Sequence, residues 1–377
     1  MRGLAHSRLV LLAGLSLALL AWTNPASVAE DAPSDRVSFP ACDGVELSGT
    51  FYPGPRGKKD KDAVVLLLHD FDPRKGGGSH GNWDKLAEKL QKEGYSVLSF
   101  DFRGFGNSKS VRDEFWKFDY NRRGIPRAYR NGVKPAQSID QKDFTFGYYP
   151  ALINDIAAAR SFLDRKNDAR EINTSNLIVI GAGEGATLGA LWMAAEMHRQ
   201  KDTSPPTVTP QAPVRLDDPE GKDFVAAVWL TISPNVAGRS VTQAVKSSLA
   251  EVARENKVPT VLVVGSSDTS GTNLAKNYKD AMEGGKRVDL KNTGTKTISV
   301  TDLTGSKLLG VRGTTDWVAD YLSRVMEDRG SKEWKRREEE KARYYWTTNG
   351  RPRQLAKNTG EKVVRPIPAA LIKLGSP

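Results

Sequence analysis

The residues of this 377-residue chain that could do chemistry gather around one short turn, Gly181-Ala182-Gly183-Glu184-Gly185. Four apolar residues, Leu177 to Ile180, run into it, and Thr187 to Met197 continues without a breaker. That is the pattern of a buried strand turning sharply into a helix. Such a turn ordinarily presents a nucleophile, but its central residue, Gly183, carries no hydroxyl, thiol or carboxylate. One position on, Glu184 offers a carboxylate, and an ester formed there would need an activated water to release it. The four histidines are His6, His69, His80 and His198, and none follows residue 198. Lys307 could serve as a base only if burial depressed its pKa. The glycines are not spaced as G-x-G-x-x-G, and no His/Cys/Asp/Glu group has metal-ligand spacing, so no cofactor or metal is expected.

The elements that must position these residues alternate along the chain. Residues 36 to 53 alternate in polarity around Asp43-Gly44 and predict an opening antiparallel pair. Ala63 to Leu68, Tyr95 to Phe100, Phe224 to Ile232, Pro259 to Gly265 and Thr297 to Val300 predict strands, most of them continuous apolar runs buried on both faces. Trp83 to Glu93, Ala151 to Arg165, Val241 to Glu255 and Asp316 to Met326 predict helices between and after them.

Two motifs carry a resemblance. Asp101-Phe102-Arg103-Gly104-Phe105-Gly106-Asn107-Ser108 closely resembles the D-x-R-G-x-G-x-S turn of the α/β-hydrolase family, and Gly181 and Gly185 match the outer glycines of its G-x-Ser-x-G nucleophile elbow. The resemblance implies an α/β fold over residues 36–328, with a mostly parallel central sheet and helices on both faces. It makes Gly183 the nucleophile position, leaves Ser108 as a loop residue, and makes Asp268 the position of the catalytic acid. An Asp after a strand is also an ordinary helix cap. The family's histidine would lie in 302–310, which holds none, with Lys307 near its place. Family members tend to end the strand before the oxyanion hole in His-Gly. Here it ends His69-Asp70, and a carboxylate there would repel a developing oxyanion or simply cap the loop. The implied protein is a hydrolase fold with a degenerate elbow, acting as a binding or scaffold module. The alternative is an active hydrolase of carboxylic esters using other groups.

Residues 109–149 form a lid-like insertion rich in aromatics and arginines. It reads either as a ligand platform or as a packed cover; nucleic acid is not expected as a partner. Trp116 and Tyr149, with Asp70 and Glu184, are the candidate contacts to a small-molecule or envelope ligand. Residues 1–29 read as a signal peptide: Arg2 and Arg8, then 14 apolar-rich residues from Leu9 to Trp22, then Ser27-Val28-Ala29. Export to the periplasm or the medium follows, and the single cysteine, Cys42, permits no intramolecular disulfide. Losing Arg2 and Arg8 takes the formal charge from +11 to +9. Residues 200–222 form a Pro-rich loop. The tail, 329–377, holds 13 Lys/Arg against 5 Glu, predicts helical charge pairing over 331–346, and suits an acidic polymer or anionic lipid surface.

Overall fold

Continuous apolar strands can be buried only if helices cover both sides of their sheet, and the computed structural model shows that arrangement. It describes residues 33–55, 61–129, 134–198, 220–284, 290–330, 332–337, 342–346 and 363–367. The signal-like segment and most of the Pro-rich loop lie outside these residues. One sheet contains β1 (Asp35–Pro40), β2 (Glu46–Tyr52), β3 (Val64–Leu68), β4 (Ser96–Phe100), β5 (Leu177–Ala182), β6 (Phe224–Leu230), β7 (Thr260–Gly265) and β8 (Gly294–Ile298). Their order is β1-β2-β4-β3-β5-β6-β7-β8. Only β2 runs against its neighbours; the pairs from β4 through β8 are parallel.

Alternation along each strand divides the core in two. Leu66, Leu98, Val179 and Trp229 join one apolar cluster with helices α3 (Ile153–Asp168), α4 (Gly183–His198), α5 (Thr242–Leu249) and α6 (Thr269–Glu283). Leu67, Val97, Ile180 and Val228 join the other with α1 (Asn82–Lys92) and α7 (Thr314–Arg329). In α1 the buried residues Trp83, Leu86, Ala87 and Leu90 fall on one stripe. Its start is fixed by the Gly81 N–H donating to Asp84 Oδ2 at 2.7 Å. A short helix, α2 (Asp119–Gly124), belongs to the insertion.

Two expectations are corrected. The last strand is Gly294–Ile298 rather than Thr297–Val300: pairing with β7 places Gly294 opposite Val261 and Ile298 opposite Gly265, and Val300 at φ 51° has left extended geometry. The tail does not begin as a free helix. Residues 332–337 are non-helical and docked on the domain, and Ala342–Trp346 is a strand pairing in parallel with Val363–Ile367. Trp334 Nε1 donates to the Asn167 carbonyl at 2.8 Å, and the Arg170 guanidinium lies 4.5 Å over the Trp334 ring. Arg337 reaches buried Asp223, which also accepts from Arg160 at 2.7 Å. These tertiary partners outweigh the few tenths of a kcal/mol that i,i+4 pairs supply to a helix. Truncation at residue 331 is therefore expected to destabilise the domain by about 1–3 kcal/mol, because Asp223 loses one of its two cations. Truncation at 338 keeps the Asp223 contact and should cost less than truncation at 331; equal urea midpoints for both truncations would show that docking of 332–337 contributes nothing.

Candidate functional site

The elbow lies where β5 turns into α4, and its glycines explain the geometry. A Cβ at Gly185 would sit 2.2 Å from the His69 carbonyl oxygen, and one at Gly181 would sit 2.8 Å from Ala186 Cα. Neither position tolerates a side chain, since the helix must approach β3 and its own strand this closely. Gly183 has the left-handed φ of 51° that such a turn imposes on its apex. Its carbonyl accepts from the Ser233 N–H at 3.1 Å and from Thr187 Oγ1 at 3.2 Å. A Cβ there would meet only Asp70, with Cβ at 3.0 Å and Cα at 3.9 Å. The apex thus keeps the shape of a nucleophile elbow, but a side chain there would be directed at Asp70 and would require it to shift.

Asp70 occupies the ground between the elbow and the loop after β8. Its Oδ2 accepts a long hydrogen bond from the Ser306 N–H at 3.4 Å and lies 2.6 Å from where a Cβ on Gly305 would be. Gly305 has φ 60°, so the absence of a side chain serves both its backbone and the carboxylate beside it. Asn82 Nδ2 donates to the Ser306 carbonyl at 3.2 Å and fixes the same loop from α1. Lys307 is exposed rather than turned into this site, and so lacks the burial that a lysine base needs. Asp268 caps α6, its Oδ1 accepting from the Gly271 N–H at 2.8 Å, while its buried Oδ2 has no hydrogen-bond partner.

His69 is buried beneath Asp70 and committed at both nitrogens. The Phe102 N–H donates to Nε2 at 3.0 Å, so the ring proton is on Nδ1 and is donated to the Asp70 carbonyl at 2.9 Å. Burial holds its pKa below the ordinary imidazole value, and it stays neutral. His80 is exposed and pairs with Asp84 at 3.2 Å. Neither ring is placed to deprotonate a group at Gly183.

Glu184 is half-buried at the first turn of α4, and its Oε2 accepts from the Ala237 N–H at 2.8 Å. Burial pushes its pKa up to about 7; the Ala237 hydrogen bond works against this and the charge of Asp72 adds to it. A carboxyl with a raised folded-state pKa contributes stability that is complete below about 4.5 and lost as pH rises through about 7. Glu184→Gln, which mimics the protonated form and can keep the Ala237 bond, should raise stability by about 1–2 kcal/mol above pH 8 after allowance for partial exposure. At pH 4 it should change nothing. Thermal unfolding across pH checks this, and a pH-independent difference would refute the shift.

The aromatic insertion corrects the expected ligand contacts. Trp116 is buried, with Nε1 donating to the Ala136 carbonyl at 2.7 Å and its ring stacked on Tyr129. Tyr149 is fully buried, stacked on Phe71 at 5.8 Å, and its hydroxyl donates to the Gln141 carbonyl at 3.3 Å. Both rings cover the core because the insertion must hide the sheet edge, and neither is presented to a ligand.

The Asp101–Ser108 turn works as scaffolding. Asp101 Oδ1 accepts from Ser79 N at 2.9 Å and Ser79 Oγ at 2.8 Å, and Oδ2 accepts from Asn107 N at 2.9 Å. Ser108 Oγ donates to the Asp101 carbonyl at 2.6 Å and accepts from Ser48 N at 2.8 Å. Two acids of this scaffold, Asp43 and Asp155, were not singled out by sequence. Fully buried Arg103 donates to both at 2.6 Å, and to Tyr148 Oη at 3.0 Å. Burial opposes the guanidinium charge, but Asp155 and Asp43 more than offset it and hold Arg103 protonated. An Asp between apolar Ile153 and Ile156 at the start of α3 was the available signal for Asp155.

A family model for the alpha/beta hydrolase fold matches residues 76–194. The chain is 29% identical over 107 residues to the uncharacterized protein YfhR of Escherichia coli (strain K12), which is 28% of this chain and 36% of that protein. It thus spans about a third of that relative's length. Superposition on the dienelactone hydrolase of Anabaena variabilis covers 79% of this chain and 99% of that one, with 16% identity and a TM-score of 0.44. For a fungal esterase of Rhizomucor miehei the coverages are 79% and 85%, with 14% identity and a TM-score of 0.47. With its strand order, its single reversed strand and its elbow, this chain has the α/β-hydrolase fold.

Proposed function

We propose that this protein is a non-catalytic member of the fold, acting as a binding or scaffold module. Gly183 carries the conclusion: at the apex, where φ matches that of a nucleophile elbow, there is no side chain, and Asp70 crowds the space one would take. A carboxylate there disfavours the oxyanion of acyl transfer, and no described histidine reaches it. The test is a fluorophosphonate probe together with nitrophenyl ester turnover on the purified protein. No covalent label, and turnover far below about 1 s⁻¹, are expected. Stoichiometric labelling overturns the proposal.

One observation favours hydrolase activity on carboxylic esters. Glu184, one residue past the apex, titrates near the pH at which a carboxyl acts best as a general base. Should the wild type turn over nitrophenyl acetate, Glu184→Gln must abolish that turnover for this reading to stand.

We further propose that the protein is exported, with residues 1–29 removed, and that the basic residues after 337 contact an acidic polymer or anionic lipid surface. An intact Met1 on mass spectrometry of the exported fraction excludes the first. Deleting 338–377 should weaken retention on an acidic matrix at low salt only, and unchanged retention excludes the second.

A further inference from the structure

We propose that a cavity in the insertion, separate from the elbow, is a binding site for small planar carboxylates. The cavity has a volume of about 360 Å³ and lies between α2 and the 3-10 turn Phe146–Leu152. That size is within the range of small-molecule sites. Tyr120 and Tyr148 line it, with ring centroids 6.2 Å apart and planes 22° apart. Their hydroxyls are engaged away from a ligand: Tyr120 Oη donates to Asp43, and Tyr148 Oη donates to Asn121 Oδ1 at 2.7 Å while accepting from Arg103. What half-buried Tyr120 offers a ligand is therefore ring surface, with buried Tyr148 and the ionic network behind it holding it in place.

The charged groups of the lining are Asp119 and Arg123. Asp119 is paired with Arg122 one turn along α2. Arg123 is exposed and, among the described residues, has neither an ion pair nor a hydrogen bond. The uncommitted charge at this cavity is thus a planar guanidinium, whose paired donors match the two oxygens of a carboxylate. Thr145 adds a hydroxyl at the rim. A ring surface and a guanidinium in the same lining select a flat anion over a neutral or cationic one.

None of these residues belongs to the elbow, so the site stands whether or not Gly183 and its surroundings are catalytic. It rests on the proposed binding role only for its biological sense. The experiment measures benzoate, benzamide and benzylamine binding to the full chain by ligand-observed NMR titration. Benzoate is expected to bind at least about fivefold more tightly than benzamide, from one charge-assisted contact, and benzylamine least of all. Arg123→Gln should erase the preference for benzoate, and Arg123→Lys should retain part of it. Tyr120→Ala should weaken benzoate binding by removing the ring surface of the lining. Both Arg123 variants should keep the wild-type melting temperature, which separates loss of the site from loss of the fold. Equal binding of the three probes, no benzoate binding up to about 10 mM, or a benzoate preference unchanged in Arg123→Gln would overturn the proposal.

Discussion

Arg103→Met is expected to destabilise the protein by about 3–5 kcal/mol at neutral pH, among the largest losses any single substitution here should produce. Methionine matches much of the volume, so the loss is electrostatic. Asp43 and Asp155 would remain buried, facing each other without the cation to which both are bonded at 2.6 Å. The effect spreads because the guanidinium joins four parts of the chain: the turn after β4, the start of the β1–β2 hairpin connection at Asp43, the insertion through Tyr148, and α3 through Asp155. Acid should relieve the variant. Orphaned buried carboxylates have raised pKa values, so the variant binds protons on folding and gains stability as pH falls, and its deficit against wild type should narrow below about pH 5. Adding Asp43→Asn and Asp155→Asn should recover part of the loss at neutral pH, since the charges go while hydrogen-bonding capacity stays. Urea unfolding measures all three proteins. A deficit under about 1 kcal/mol for Arg103→Met, or one that widens in acid, would falsify this account of the network.

The order of elements was legible because apolar runs and helical stripes are local properties, and the sheet that assembles them follows from covering both faces. The Asp101–Ser108 turn was legible because its residues resemble the family's D-x-R-G-x-G-x-S turn, and two of its bonds lie within seven residues. What sequence could not supply were contacts made over long separations. Asp43 and Asp155 meet at Arg103 from 60 and 52 residues away. Asp223 draws in Arg337 across 114 residues, and that contact holds a segment whose own charge spacing favoured a helix. The aromatic insertion was ambiguous for a related reason: composition does not say which way a ring faces. Trp116, Tyr148 and Tyr149 turned inward, whereas Tyr120 stays half-buried at the cavity with its hydroxyl secured by Asp43. At the elbow, the missing hydroxyl and histidine could be read directly, but not that Asp70 extends from β3 to the loop after β8.

That position of Asp70 sets the order in which catalysis could be rebuilt. Gly183→Ser alone should leave nitrophenyl ester turnover within a few-fold of wild type. The new hydroxyl would have no base, its Cβ would stand 3.0 Å from Asp70 Cβ, and a non-glycine residue at φ 51° adds strain of about 1 kcal/mol. A histidine belongs at Ser306, whose backbone is already held beside Asp70 and which is half-buried, rather than at exposed Lys307. It would compete with Asp70 for the same ground, so Asp70→Gly must accompany it, removing the charge that opposes an oxyanion. Asp268 has one buried oxygen, Oδ2, without a hydrogen bond, and an imidazole at 306 would need to reach it. The triple variant Asp70→Gly, Gly183→Ser, Ser306→His should therefore exceed the single variant by at least about 10²-fold in kcat/KM, the lower range of general acid–base assistance. It should label with fluorophosphonate where wild type does not, and Asp268→Asn in that background should remove most of the gain by losing the imidazole's orientation. A triple variant that folds, as judged by its melting temperature, yet stays at the Gly183→Ser level would mean that the loop after β8 does not deliver residue 306 to the elbow, and that the site's loss of function goes deeper than three side chains.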